Sequence, residues 1–151
     1  MTSDVAADRQ VLAGSRAWRA TPDNYSSLRF FQFAADGSGE LTYAYGQTIY
    51  AVAQCRWELP VAGQLRLTYS GVPRGVLART FALSDGNRVK ELAYTLTAGR
   101  VAGVEDIVPN PYEFSWTLAL SDSPWPAGLD LPHEVPRVFY GQEAADEEPV
   151  A

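Results

Sequence analysis

The sequence predicts an all-β protein: an antiparallel up-and-down β-barrel of about eight strands, with a short N-terminal helix or arm and a Pro-rich C-terminal segment. Three observations predict it. From Leu28 to Leu120, short runs of strand-forming residues follow one another, each divided from the next by a turn built on Gly, Asp or Pro. Pairing successive runs as hairpins brings their aromatic and apolar side chains onto one face. A long antiparallel meander with one apolar face has to close on itself, and a closed barrel can hold a ligand.

The elements follow in order. Residues 4–12 fit a short amphipathic helix carrying Val5, Ala6 and Leu12, with Ser3 as its cap. A first strand surrounds Trp18. Residues 28–34 and 40–45 make the next hairpin, its turn supplied by Asp36, Gly37, Ser38 and Gly39. Pairing Ala34 with Glu40 sets Phe33 opposite Leu41, Phe31 opposite Tyr43 and Arg29 opposite Tyr45. Residues 49–59 and 65–69 pair about the turn 60–64. That register sets Leu59 against Leu65, Trp57 against Leu67 and Cys55 against Tyr69, with Glu58 beside Arg66 on the other face. Residues 77–84 turn at Asp85-Gly86 and return as 88–98, facing Leu77 to Tyr94, Arg79 to Leu92 and Phe81 to Lys90. The connection 99–111 is long enough to serve as a lid. Residues 113–120 then turn Phe114, Trp116, Leu118 and Leu120 inward. Pro124, Pro126, Pro132 and Pro136 lack the N–H a central strand needs, so the segment they occupy is expected to wrap the barrel until a last strand at 138–140.

A chain of 151 residues is one domain by size and long enough to bury a core without staples. The barrel is assigned to residues 1–140 and an acidic, solvated tail to 141–151. That tail holds Glu143, Asp146, Glu147 and Glu148 and no base, so it carries four of the six net negative charges. An acidic chain with no basic stripe is not built for nucleic acid, which demands phosphate neutralisation. No apolar stretch approaches the length of a bilayer span. The first residues lack the basic and apolar regions of a signal peptide. The single cysteine, Cys55, forms no intrachain disulfide. A cytoplasmic location is expected, and the sequence leaves the oligomeric state open.

Along the inner row the residues run Ala51, Ala53, Cys55, Trp57, Leu59, small at one end and bulky at the other. This taper predicts a barrel with a filled base and room at its mouth. The alternative is that a neighbouring ring fills the gap.

The segment Leu12-Ala13-Gly14-Ser15-Arg16-Ala17-Trp18, the turn Phe33-Ala34-Ala35-Asp36-Gly37-Ser38-Gly39 and the strand end Arg56-Trp57-Glu58-Leu59 together resemble the lipocalin-like (calycin) barrels. The likeness spans roughly residues 12–121. Lipocalins proper separate their first-strand Gly and Trp by one residue, whereas Gly14 and Trp18 are separated by three. The resemblance implies a barrel that binds a small apolar or amphipathic molecule. Intracellular barrels of this type include fatty-acid carriers and bacterial enzymes, among them cyclases of natural-product pathways.

The residues also exclude several chemistries. One histidine and one cysteine do not make a zinc or haem site, and no metal or cofactor is expected. No nucleophile elbow is present, His133 reads as a loop residue, and Cys55 reads as a small core hydrophobe. Asp36-Gly37-Ser38-Gly39-Glu40 is a turn and lacks the spacing of a calcium loop. What remains is an aromatic interior with two arginines. Arg29 and Arg79 are expected to meet a carboxylate, enolate or carbonyl oxygen of the ligand, or else to sit at barrel rims or pair with Glu91 or Glu113. The candidate ligand-binding set is Arg29, Phe31, Tyr43, Tyr45, Cys55, Trp57, Tyr69, Arg79, Tyr94 and Trp116, with no catalytic residue assigned. Three functions fit: a binder of a hydrophobic or amphipathic small molecule, a cofactor-free cyclase or isomerase acting on a polyketide-like substrate in the same cavity, and a protein-interaction module of the inhibitor or immunity kind.

Overall fold

Period-two alternation sets the architecture. Along the fourth strand Ala51, Ala53, Cys55 and Trp57 are buried while Gln54, Arg56 and Glu58 are exposed. A computed structural model describes residues 5–14, 18–19, 27–45, 47–79, 81, 88–102, 113–129 and 137–141. In it the helix α1 (Val5–Gly14) precedes eight strands: β1 (Trp18–Arg19), β2 (Ser27–Phe33), β3 (Ser38–Tyr45), β4 (Thr48–Glu58), β5 (Gln64–Arg74), β6 (Val89–Ala102), β7 (Glu113–Leu120) and β8 (Val138–Gly141). Each strand pairs antiparallel with its neighbours in sequence, and β1 pairs with β8, so the sheet is a closed barrel. The β1–β2, β3–β4, β5–β6 and β7–β8 connections lie at one end, here the upper. At the lower end lie α1 and the other three connections.

The β4–β5 hairpin has the expected register, with Trp57 opposite Leu67, Cys55 opposite Tyr69 and Glu58 opposite Arg66. Outside the barrel Arg66 Nε donates to Glu91 at 2.9 Å, and Arg66 Nη1 lies 3.9 Å from Glu58. The β2–β3 hairpin is offset by two residues from the expected pairing: Phe33 faces Gly39, Phe31 faces Leu41 and Arg29 faces Tyr43. The reason is a tighter turn. Ala34 N–H donates to Ser38 O, Gly37 N–H donates to Ala34 O, and Gly37 takes φ +95° while Asp36 Oδ1 accepts from Ser38 N–H and Oγ–H. A two-residue offset keeps every side chain on its expected face.

Among the described residues of 77–84 the expected strand does not form. Val76–Arg79 is a 3-10 helix, and β6 takes β5 as its partner, with Leu65 opposite Leu92 and Leu67 opposite Lys90. Thus neither Leu77 nor Arg79 faces β6. Gly75 decides the matter: at φ +110° it ends β5 and brings the backbone so near Tyr50 and Ala51 that a Cβ would stand 2.5 Å from Tyr50 O. The tip Asp85-Gly86 and most of the connection expected at 99–111 lie outside the described residues; β6 itself runs on to Ala102.

Trp18, Phe31, Leu41, Tyr43, Leu67 and Leu118 are among the side chains wholly enclosed in the core. Trp18 Nε1–H donates to Leu12 O at 3.1 Å, tying the helix to the first strand. Leu12 is the buried residue of α1, and Val5 and Val11 pack beside it against the core.

Candidate functional site

The two barrel ends are closed by different means. At the lower end, Tyr94 O–H donates to Asp8 of α1 at 2.6 Å, and the Arg9 guanidinium lies 4.7 Å above the Trp57 ring. Trp57 Nε1–H donates to Ala34 O at 2.9 Å. Burial, and then the Asp8 carboxylate, push the Tyr94 phenol up to about 12. These contacts make α1 a fixed base.

At the upper end the segment 121–129 enters the barrel instead of wrapping it. Pro124, Trp125 and Pro126 are all buried, Trp125 to 3% exposure. The Trp125 ring meets Tyr43 edge to face at 6.3 Å, and Tyr43 meets Tyr50 in the same way at 6.1 Å. Tyr50 is an extra residue on β4, since Tyr43 faces Ala51 while the adjoining Ala44 faces Ile49. Ala51 and Ala53 therefore lie beside Tyr43 and Leu41, their cross-strand partners, and both alanines are fully enclosed. A neighbouring ring takes the space that the taper predicted would stay open.

Burying a loop segment is possible only if its backbone groups are satisfied. Pro124 and Pro126 have no N–H to satisfy. Trp125 N–H donates to Ser123 Oγ at 3.1 Å. The carbonyls are taken from the barrel wall: Lys90 Nζ donates to Ser123 O at 2.8 Å and to Trp125 O at 2.7 Å, and Tyr69 O–H donates to Pro124 O. Lys90 is the only lysine in the chain. It shares the inner face with its partner Leu67, and desolvation lowers its pKa against the opposing charge of Asp122. Burial raises the Tyr69 phenol far above its usual range.

Of the predicted set, Phe31, Tyr43, Cys55, Trp57, Tyr69 and Tyr94 share one buried core. Trp57 and Tyr94 belong to the lower end; Tyr43 and Tyr69 belong to the upper. Trp116 is half-buried against the core, opposite Ala98 and Gly141. Cys55 is enclosed, and burial pushes its thiol up to about 12. Arg29 is half-buried on the inner face of β2, and its Nε is shut off from solvent with no hydrogen-bond acceptor among the described residues. Glu91 is engaged with Arg66. The side chains of Tyr45 and Arg79 lie outside the described residues.

Trp125, Lys90 and Asp8 were missed as site residues. A large ring between two prolines was the available signal for Trp125, because the prolines on either side bring no N–H groups to satisfy. The inward lysine was legible as the sole ammonium on an apolar face. Among the described residues no group of His, Cys, Asp and Glu could hold a metal ion. Among the described residues no helix is long and apolar enough to cross a membrane.

No protein-family model, curated protein or solved structure matches this chain.

Proposed function

We propose that the protein is a lipocalin-like (calycin) barrel that binds a small amphipathic molecule at its upper end. The observation that carries this is Arg29. A guanidinium N–H turned into a barrel and cut off from water needs an acceptor, and leaving such a donor unmade is costly. A carboxylate, enolate or carbonyl of a ligand supplies it, while Tyr43 and Tyr50 offer apolar surface around it. A cyclase or isomerase would use the same end, with Arg29 polarising a carbonyl.

Native mass spectrometry of protein purified from its own host tests this reading. A retained small molecule is expected, and Arg29→Leu should lose it. Protein that is empty from every preparation and indifferent to Arg29→Leu would sink the proposal. A second reading, a protein-interaction module, draws support from the tight filling of the interior. Capture of a protein partner by a chain that retains no small molecule would favour it.

A further inference from the structure

We infer that residues 121–129 are a built-in competitor: a strap that occupies the barrel's own donors and is displaced by an amphipathic carboxylic acid. This rests on the ligand-binding reading above and names the class of ligand. The donors come first. Lys90 on β6 and Tyr69 on β5 both point inward, and between them they hold three consecutive carbonyls, those of Ser123, Pro124 and Trp125. A lysine and a tyrosine facing a barrel interior would not be buried without acceptors. The strap provides the acceptors, and the Trp125 ring against Tyr43 provides an apolar body beside them. A cluster of oxygens on an apolar body is what an amphipathic carboxylic acid presents.

The strap also brings Asp122, whose charge favours the Lys90 ammonium. When the strap leaves, the ammonium loses two carbonyls and a nearby carboxylate together. A ligand carboxylate replaces both kinds of partner, whereas an alcohol of the same chain length offers an acceptor oxygen but no charge. Arg29 lies on the same inner face, one strand beyond Tyr43. The acid is therefore preferred over the alcohol, and its apparent affinity is reduced by the fraction of time the strap is seated.

Decanoic acid and decanol, titrated calorimetrically into the full-length chain, test this. Trp125→Ala should bind decanoate about tenfold more tightly than the wild-type protein, because the competing state is weakened. It should prefer decanoate to decanol, and Trp125→Ala with Lys90→Met should weaken that preference, leaving the part that Arg29 supplies. Equal decanoate affinity in wild type and Trp125→Ala overturns the competition. A gain shared equally by decanol overturns the exchange of donors. Nuclear magnetic resonance of the wild-type protein covers the case in which Trp125→Ala does not fold. The Trp125 indole N–H signal, assigned with Trp125→Phe, should shift as decanoate binds; binding that leaves it unmoved overturns the strap. Decanoate binding that depends on Arg29 but not on Trp125 or Lys90 overturns the strap and leaves the barrel reading standing. No binding to any variant overturns both.

Discussion

Gly141, on the last strand, lies against the face of Trp18, on the first. A Cβ built at position 141 would stand 2.6 Å from the six-membered ring of the indole. Trp18 is wholly buried and its Nε1 is fixed to Leu12 O, so the ring has nowhere to retreat. Gly141→Ala is therefore an overpacking change at the seam of the barrel, expected to cost about 1–3 kcal/mol. Chemical denaturation should show a lower midpoint with an unchanged slope. An unaltered midpoint would show that β8 does not press on Trp18.

Gly75 makes the harsher case, because strain and collision coincide there. Its φ is +110°, and the added methyl would meet the backbone of Tyr50 and Ala51, which cannot swing aside as a side chain can. Gly75→Ala should cost about 2 kcal/mol or more. Gly63, at φ +84° with nothing within 4 Å of its missing Cβ, is the control that carries conformational strain alone. Thermal melts of the two variants should rank Gly75→Ala well below Gly63→Ala.

Cys55 should be unreactive while the protein is folded. It is enclosed between Gly39 and Tyr69, and its thiol is pushed up to about 12, so almost no thiolate exists near neutral pH. Its modification by an aromatic disulfide reagent should proceed only through opening of the barrel, at a rate that follows global stability. Fast stoichiometric labelling of native protein would contradict the enclosure.

Alkali should destabilise the fold. Both Cys55 and Tyr94 hold their protons more tightly folded than unfolded, from 9.0 and 10.0 up to about 12 in each case. The native state therefore binds more protons across that interval, and stability falls as pH rises. Denaturant midpoints should be level below pH 9 and decline from there towards 12. Cys55→Ala should remove the early part of the decline, and Tyr94→Phe should lessen the later part, to which the buried Tyr69 phenol also contributes. A flat profile in the wild-type protein would contradict both assignments.

The β4–β5 pairing was legible because Trp57, Cys55, Leu67 and Tyr69 alternate cleanly with polar neighbours, which leaves one acceptable register. The β2–β3 pairing was legible only to within two residues. Period two distinguishes faces but not a whole step along the strand, and the tight turn at Gly37 chose the step. Residues 77–84 read as a strand on local composition, yet Gly75 ends β5 and Val76–Arg79 turns as a 3-10 helix. The barrel and the inward rows of β4 and β5 were thus visible in side-chain alternation. The strap was not, because Pro124 and Pro126 speak against a strand, and the ring between them is the sole sign that the segment enters the core. The pairing expected for Lys90 was with Phe81, whereas its partner is Leu67. Alternation alone does not reveal that its ammonium meets the carbonyls of Ser123 and Trp125.

The ring is completed by its shortest member. As described, β1 contributes only Trp18 and Arg19, held by Phe31 and Phe30 on one side and by Tyr140 alone on the other. Hairpins between sequence neighbours close small loops, but the Arg19–Tyr140 pairing joins opposite ends of the chain and pays the largest loss of chain freedom. Contacts so distant in sequence slow folding more than local ones do. The barrel should therefore assemble as an open sheet from β2 to β7 and latch last at β1 and β8, so that the clasp holding the wall shut is also its slowest joint.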